Sequence, residues 1–212
     1  YTIGFSQCAD DLWRQIMMVQ MEAEVAKHPD LRLLTKVAKN NTEEQVSQIN
    51  DLLDEGVNLL IISPNESVQS ITEVAELAYR RGIPTIIWDR KIDSDEYSTY
   101  ISADNYEIGR AVGEYVRSIL PPGSSILEIS GLEASSPARE RHQGFVDVVN
   151  GAYRLNRIDG NWIHDVARAR VEDLAVYDGI DLVFGHNDDM ALAAYEVICE
   201  KHPEEAERIK FI

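Results

Sequence analysis

Nine short apolar or β-branched runs punctuate the chain: Thr2 to Phe5, Arg32 to Val37, Asn58 to Ile62, Thr85 to Trp88, Thr99 to Ile101, Ser125 to Ile129, Tyr153 to Arg157, Asp181 to Phe184 and Ile209 to Ile212. Each has the length of a strand, and most are separated by segments whose apolar positions recur with helical spacing. Asn41 to Gly56 is one such segment, with Thr42 expected as its N-cap and Gly56 as its C-terminal stop. Asp104 to Leu120 is another, an amphipathic helix closed by the turn Pro121-Pro122-Gly123-Ser124. Strand and helix in alternation predict right-handed crossovers and a mostly parallel sheet covered on both faces, the doubly wound α/β class.

One connection breaks the rhythm. Lys91 to Ser98 is a polar linker between two strand candidates with no helical pattern between them. A second domain is expected to begin just after it, near Ser102 to Asp104, because the same strand-helix architecture then starts again. Two similar α/β lobes follow from this reading, residues 1–103 and 104–212. The final run, Arg208 to Ile212, reads as a strand that stops where the chain ends.

Composition narrows the function more than the fold. Hydrophobic residues make up 44% and charged residues 27%, the balance of an ordinary globular chain. The net charge of -17 argues against a nucleic-acid partner, whose affinity depends on clustered Lys and Arg, and against adsorption to anionic lipid. It is silent about a small neutral ligand. Two cysteines, Cys8 and Cys199, build neither a disulfide scaffold nor a metal-cysteine cluster. No secretory signal or membrane span is visible, and Tyr1 to Phe5 already reads as a buried strand, so the N-terminus looks like that of a processed or excised domain.

The candidate chemistry lies after the strands, where ligands bind in open α/β sheets. Asp89 and Arg90 follow the strand Thr85 to Trp88. A carboxylate accepts hydrogen bonds and a guanidinium donates several in fixed geometry, a combination suited to hydroxyl-rich ligands; the alternative is a surface ion pair. Ser6, Asp10, Asp11, Trp13 and Arg14 follow the first strand and open a helix. Either aspartate serves equally as a helix cap, whereas Trp13 offers a flat apolar face to a sugar ring, or packs in the core. Ser63 and Asn65 flank Pro64 after the third strand and either bind ligand or cap a helix near Ser67. In the second lobe Arg139 and Arg141 stand near a helix amino end, where positive charge is unfavourable without acidic or polar partners. Asn187 is a ligand contact, a cap, or both, and Trp162 is a second indole beyond a strand. An enzyme reading is weaker, and His186 beside Asp188 and Asp189 is poorly placed for a metal, since neighbouring residues at a helix start rarely converge on one ion. No G-x-S-x-G elbow, H-E-x-x-H pair, P-loop or G-x-G-x-x-G occurs, and the five histidines form no metal spacing.

Taken together, Ile3-Gly-Phe-Ser6, Ile62-Ser-Pro-Asn65, Gly82-Ile-Pro84, Trp88-Asp-Arg90, Ala103-Asp-Asn105 with Gly109, Ala138-Arg-Glu-Arg141 with Gly144-Phe145, and Asn187-Asp-Asp-Met-Ala191 resemble the ribose-binding-protein branch of type I periplasmic binding proteins. That branch is related to the ligand domains of lac-repressor-type regulators. The resemblance covers the whole chain and implies two lobes that close by a hinge on a monosaccharide. It carries Asp89, Arg90, Arg141 and Asn187 over as ligand contacts, with Ser6, Asp10, Trp13, Ser63 and Trp162 at further ligand-facing positions. Arg14 enters from a Trp-Arg pair seen in a hexose-binding subgroup. Asp10 and Ser63 stand where ribose binders usually carry Asn, which points away from ribose itself.

The resemblance also implies that both lobes are incomplete here. The first lacks its C-terminal return segment, and the second stops before the family's next strand-end Asp. The Ser6-Gln-Cys start, Ser63-Pro-Asn-Glu66, Asp104-Asn-Tyr-Glu107 and Ser135-Ser-Pro137 look most like the periplasmic sensor domains of Bacteroides-type hybrid two-component systems, in which a sugar-binding ectodomain is fused through a membrane helix to a histidine kinase. The expected function is periplasmic sensing of a sugar such as fructose or another hexose, with a homodimer among the partners this reading admits. Its rivals are a solute-binding protein of a sugar ABC transporter and a sugar-processing α/β enzyme.

Overall fold

The computed structural model describes residues 1–66, 69–174 and 179–212. They form two compact units, Tyr1–Ala103 and Asp104–Ile212. In the first, β1 (Thr2–Gln7), β2 (Arg32–Val37), β3 (Leu59–Ser63), β4 (Thr85–Trp88) and β5 (Thr99–Ile101) form a sheet in the order β2-β1-β3-β4-β5, every pair parallel. The helices α1 (Leu12–Val25), α2 (Thr42–Asp54) and α3 (Gln69–Arg80) make the crossovers. The polar segment between β4 and β5 carries no helix.

Strand pleating explains how these short runs are read. Successive side chains point to opposite faces, so Leu60 and Ile62 of β3 and Ile87 of β4 pack with Ile49, Leu52 and Leu53 of α2 and Ile71, Val74 and Ala78 of α3. Ile61 points the other way and joins Phe5 and Met17 beneath α1. A strand buried on both faces must be apolar throughout, which is why parallel strands appear in sequence as continuous runs.

The second unit repeats the plan. The strands β6 (Ser125–Ser130), β7 (Arg154–Asp159), β8 (Leu182–Gly185) and β9 (Lys210–Phe211) form a parallel sheet in the order β7-β6-β8-β9. Leu127, Ile129 and Val183 face α6 (His164–Glu172) and α7 (Asp188–Lys201). Ile126, Leu182 and Phe184 face α4 (Asn105–Ile119) and α5 (Ser136–Val149). A one-turn helix, α8 (Pro203–Ala206), precedes β9.

Local signals set the helix ends, with one correction. The α2 cap is Asn41, not Thr42: the Asn41 Oδ1 accepts the Glu44 N–H at 3.0 Å, leaving Thr42 as the first helical residue. Gly56 stops that helix with φ +71°, a left-handed turn that suits glycine. Asp104 caps α4 through the Glu107 N–H, and Gly123 turns the chain after it with φ +90°. The helix start expected near Ser67 lies outside the described residues.

The contact between α4 and α5 is set by glycines. A Cβ on Gly109 would lie 2.0 Å from the Arg141 carbonyl oxygen, and one on Gly144 would lie 2.0 Å from that of Tyr106. Backbone therefore meets backbone, and α5 is held against α4 at the level of Arg141.

Candidate functional site

In each unit the strand order reverses direction beside the first strand, between β1 and β3 and between β6 and β8. That switch point opens a crevice at the carboxyl ends of the strands. The first unit brings Arg14, Ser63 and Asp89 together there. Asp11 caps α1 by accepting the Arg14 N–H at 3.0 Å, and this turn delivers the Arg14 side chain over the strand ends. Its Nη1 donates to Ser63 Oγ at 3.0 Å and its Nη2 to Asp89 Oδ2 at 2.8 Å. Arg14 is only 3% exposed. Burial opposes its charge, but Cys8 and Asp89 more than offset this and raise its pKa above the usual guanidinium value.

Asp89 adopts φ +66°, a left-handed conformation that Asp tolerates better than most residues. It is locked there: its N–H donates to Ile101 O at 2.9 Å, and its carbonyl accepts from Tyr100 Oη at 3.0 Å and Ser102 Oγ at 2.8 Å. Arg90 is buried next to it, its Nε 4.0 Å from Asp89 Oδ2 and its Nη1 donating to the Asn65 carbonyl. Asn65 in turn donates from Nδ2 to Thr42 Oγ1 at 3.0 Å.

Ser6 is fully buried and accepts from Gln45 Nε2 at 3.2 Å. Sequence reading passed over Gln45, which also donates to the Ser63 carbonyl at 2.8 Å and accepts the Asn65 N–H at 2.8 Å. One buried amide on α2 thereby ties the ends of β1 and β3. A polar residue on the sheet-facing side of an amphipathic helix was the available signal. Asp10 is not drawn in: it is exposed, and its carboxylate meets Gln15 Nε2 at 3.3 Å. Trp13 is 55% exposed, which rules out core packing, and its ring centroid lies 5.3 Å from the Arg14 guanidinium carbon.

The second unit gathers Arg141, Trp162 and Asn187. Arg141 Nε donates to Asn105 Oδ1 at 3.0 Å and Nη1 to the His186 carbonyl, so its partners near the helix end include neutral oxygens. Arg139 likewise donates to the Glu133 and Ala134 carbonyls. Trp162 follows β7 with φ +68°, next to Asn161 at +54°, an uncommon conformation for a bulky residue. It is held by Nε1 donating to Ser135 Oγ at 3.2 Å and by packing on Gly131, where an added Cβ would lie 2.0 Å from the ring. The Arg141 guanidinium carbon is 5.3 Å from its centroid. Asn187 caps α7 by accepting the Met190 N–H at 2.9 Å while its Nδ2 donates to the Trp162 carbonyl at 3.3 Å.

Beneath this group lies a buried carboxylate that the sequence did not single out. Glu128, in the middle of β6, is fully buried and accepts from His186 Nε2 at 2.8 Å and His142 Nδ1 at 2.9 Å. Burial works to raise its pKa, but the hydrogen bonds and charge of the two histidines outweigh it and bring the value down to about 2. Burial lowers the His186 pKa despite Glu128. The signal was a single Glu inside the apolar run Ile126-Leu-Glu-Ile129. Both units thus present hydrogen-bonded polar groups, buried or half-buried, and an indole at the strand ends, groups of the kind that can satisfy hydroxyls and stack on an apolar ring face.

Known proteins resemble this chain in sequence and in fold. A family model described as a periplasmic binding protein domain matches residues 3–208. The ribose import binding protein of Bacillus subtilis is 28% identical over 175 residues, 82% of this chain and 57% of its own length. That of Escherichia coli is 28% identical over 76% of this chain and 55% of its own length. The chain therefore spans little more than half the length of these relatives. Among solved structures, the fructose-binding periplasmic domain of a hybrid two-component system is 38% identical, with a TM-score of 0.89 over 99% of this chain and 70% of that one. The periplasmic binding component of the arabinose ABC transporter from Shewanella sp. ANA-3 is 27% identical, with a TM-score of 0.87 over 94% of this chain and 69% of that one. No described helix is long and apolar enough to cross a membrane.

Proposed function

The chain belongs to the periplasmic binding protein domain family, and from that premise we propose that it is the periplasmic, monosaccharide-binding part of a sensor that signals sugar occupancy to a fused histidine kinase through hinge closure. It is a binding module and not an enzyme. The observation that carries the reading is the hydrogen-bonded set of buried Arg14 and Ser63 with half-buried Asp89 at the switch point of the first unit, with the exposed Trp13 beside it. Such a set donates and accepts hydrogen bonds in fixed directions, while the indole supplies an apolar face, so selectivity follows from which hydroxyls the sugar offers. The strong net negative charge favours a neutral ligand. A hexose such as fructose is the favoured ligand, supported by the fructose-binding relative at 38% identity.

A solute-binding protein of a sugar transporter is the second reading, favoured by the ribose import proteins and the arabinose transporter component. The residues that follow Ile212 in the intact protein separate the two, since a sensor continues into a membrane helix and a kinase.

Titration calorimetry of the intact periplasmic region against fructose, ribose, glucose, galactose, arabinose and xylose tests the proposal. Selective binding of one sugar without its conversion is the expected outcome; heat from none of them overturns it. With that sugar, Arg90→Ala is expected to weaken binding by about 2 kcal/mol or more, as when a hydrogen bond to a buried charge is broken.

A further inference from the structure

The Glu128 carboxylate sits inside the second unit, directed at the α5 side of the sheet. Three charged groups act on its partner His186, Glu128 from β6, Arg141 from α5 and Arg157 from β7, whose Nε lies 3.9 Å from Glu128 Oε1, while His142 from α5 meets the other side of the pair through Glu128. Asp188 and Asp189 follow His186 on its own segment. The proton on His186 is fixed by its neighbours. Its Nδ1 faces the Gly131 N–H at 3.3 Å and must accept there, so the ring hydrogen is on Nε2 and is donated to Glu128.

The same histidine touches the rest of the candidate site. Its ring lies 6.0 Å from Trp162 and 5.1 Å from Phe184, centroid to centroid, and its carbonyl accepts from Arg141 Nη1. Gly131, whose N–H it receives, is the surface on which the Trp162 ring packs.

We propose that Glu128 is a positioning residue of the sugar site: by holding His186 as the Nε2–H tautomer, it fixes the Gly131 turn, and through it the Trp162 ring, and anchors the segment that receives Arg141. This rests on the sugar-binding reading above and extends it to a residue that does not itself reach the ligand. A buried carboxylate in the middle of a strand serves packing poorly, whereas two histidine donors and a nearby arginine make it a rigid acceptor.

Protonation at His186 Nδ1 ends its ability to accept from Gly131, so sugar affinity should fall on acidification. Glu128 favours that protonation, and removing its charge should move the fall to lower pH.

The test compares the wild-type protein with Glu128→Gln, which keeps the shape and one acceptor oxygen, and Glu128→Ala, by calorimetry from about pH 7.5 to pH 5 and by 15N NMR of the histidine rings. The expected result is an affinity loss of roughly tenfold or more for Ala and a smaller loss for Gln. The acid-side fall in affinity should shift to lower pH in the Gln variant. Equal affinities, or a loss that is the same at every pH in a folded Gln variant, would overturn the proposal. If the wild type binds no sugar, the function reading fails, and the NMR arm alone judges the positioning. Nε2–H on His186, with displaced Gly131 and Trp162 signals in Glu128→Gln, supports it; the other tautomer, or unmoved signals, sinks it.

Discussion

The two units place an arginine on the helix after their first strand and lay an indole 5.3 Å from it, yet they hold that arginine by different chemistry. Arg14 spends its fork on a carboxylate and a hydroxyl, Asp89 and Ser63, within one hydrogen bond of the strand ends. Arg141 donates to the side-chain oxygen of Asn105 and to the carbonyl of His186, whose imidazole in turn meets the strand carboxylate Glu128. In the first unit two carboxylates, Asp11 and Asp89, neutralise the arginine at the candidate site itself. In the second, a buried carboxylate, Glu128, holds the imidazole of His186, whose carbonyl accepts from the arginine. The indoles differ too: Trp13 continues a regular helix, whereas Trp162 is held in a left-handed conformation by its neighbours.

The most disruptive way to test the contrast is to remove one of the first unit's carboxylates. Asp89→Ala should destabilise that unit by about 3 kcal/mol, since it takes the Nη2 acceptor from a buried guanidinium, leaving it Asp11 at 3.1 Å and Ser63, and also puts Ala at φ +66°. A lower denaturant midpoint at unchanged slope is the expected signature, and an unchanged midpoint would mean that Arg14 does not depend on the pair.

Acid should expose the second unit next. Glu128 titrates near 2 in the folded chain against a usual value of 4.5, so between those values the unfolded chain binds a proton that the folded chain does not. Its contribution is complete above about 4.5 and is lost as pH falls to about 2, on the order of 3 kcal/mol. The lowered pKa of His186 acts in the same direction: its contribution is complete above the ordinary histidine value and declines as pH falls below it. Denaturant unfolding followed against pH in Glu128→Gln should lack the lower step; its persistence would assign the step elsewhere.

Gly144→Ala pushes a methyl group into the Tyr106 carbonyl and must move α5 from α4, at about 2 kcal/mol. Because Arg141 rides on α5, sugar affinity should drop along with the melting temperature, whereas the equally helical but exposed Glu114→Ala should leave both unchanged. The smallest effect on stability is expected from Trp13→Ala, within about 0.5 kcal/mol because the ring is mostly in solvent. Any larger change there should appear in sugar binding, read by calorimetry, and a variant that binds as well as wild type would remove Trp13 from the site.

The nine described strands match runs read in the sequence; the central ones are apolar at every position because both faces are buried, as in Leu60, Ile61 and Ile62, whereas the edge strand Arg154–Asp159 is mostly polar and largely exposed. The exceptions mark what a linear reading misses. Asn41 and Thr42 are both good capping residues, and only the backbone dihedral of Asn41 decided between them. Asp89, Arg90 and Asn187 were singled out from the strands that end before them, and Arg141 from its place near a helix amino end. Gln45 and Glu128 stood out only as polar residues at apolar positions, and the sequence does not say which partner, 18 or 58 positions away, each one meets.

The order of apolar runs and helical spacings by itself determined the alternating α/β class, the break in rhythm after Trp88, and the strand ends where polar residues collect. Those follow from local rules of pleat, period and turn. Which of those polar residues join was decided by the tertiary structure. The strand order sets which ends lie side by side, glycine contacts set how near α5 comes, and burial makes each hydrogen bond between Arg14 and Asp89, or His186 and Glu128, costly to leave unmade.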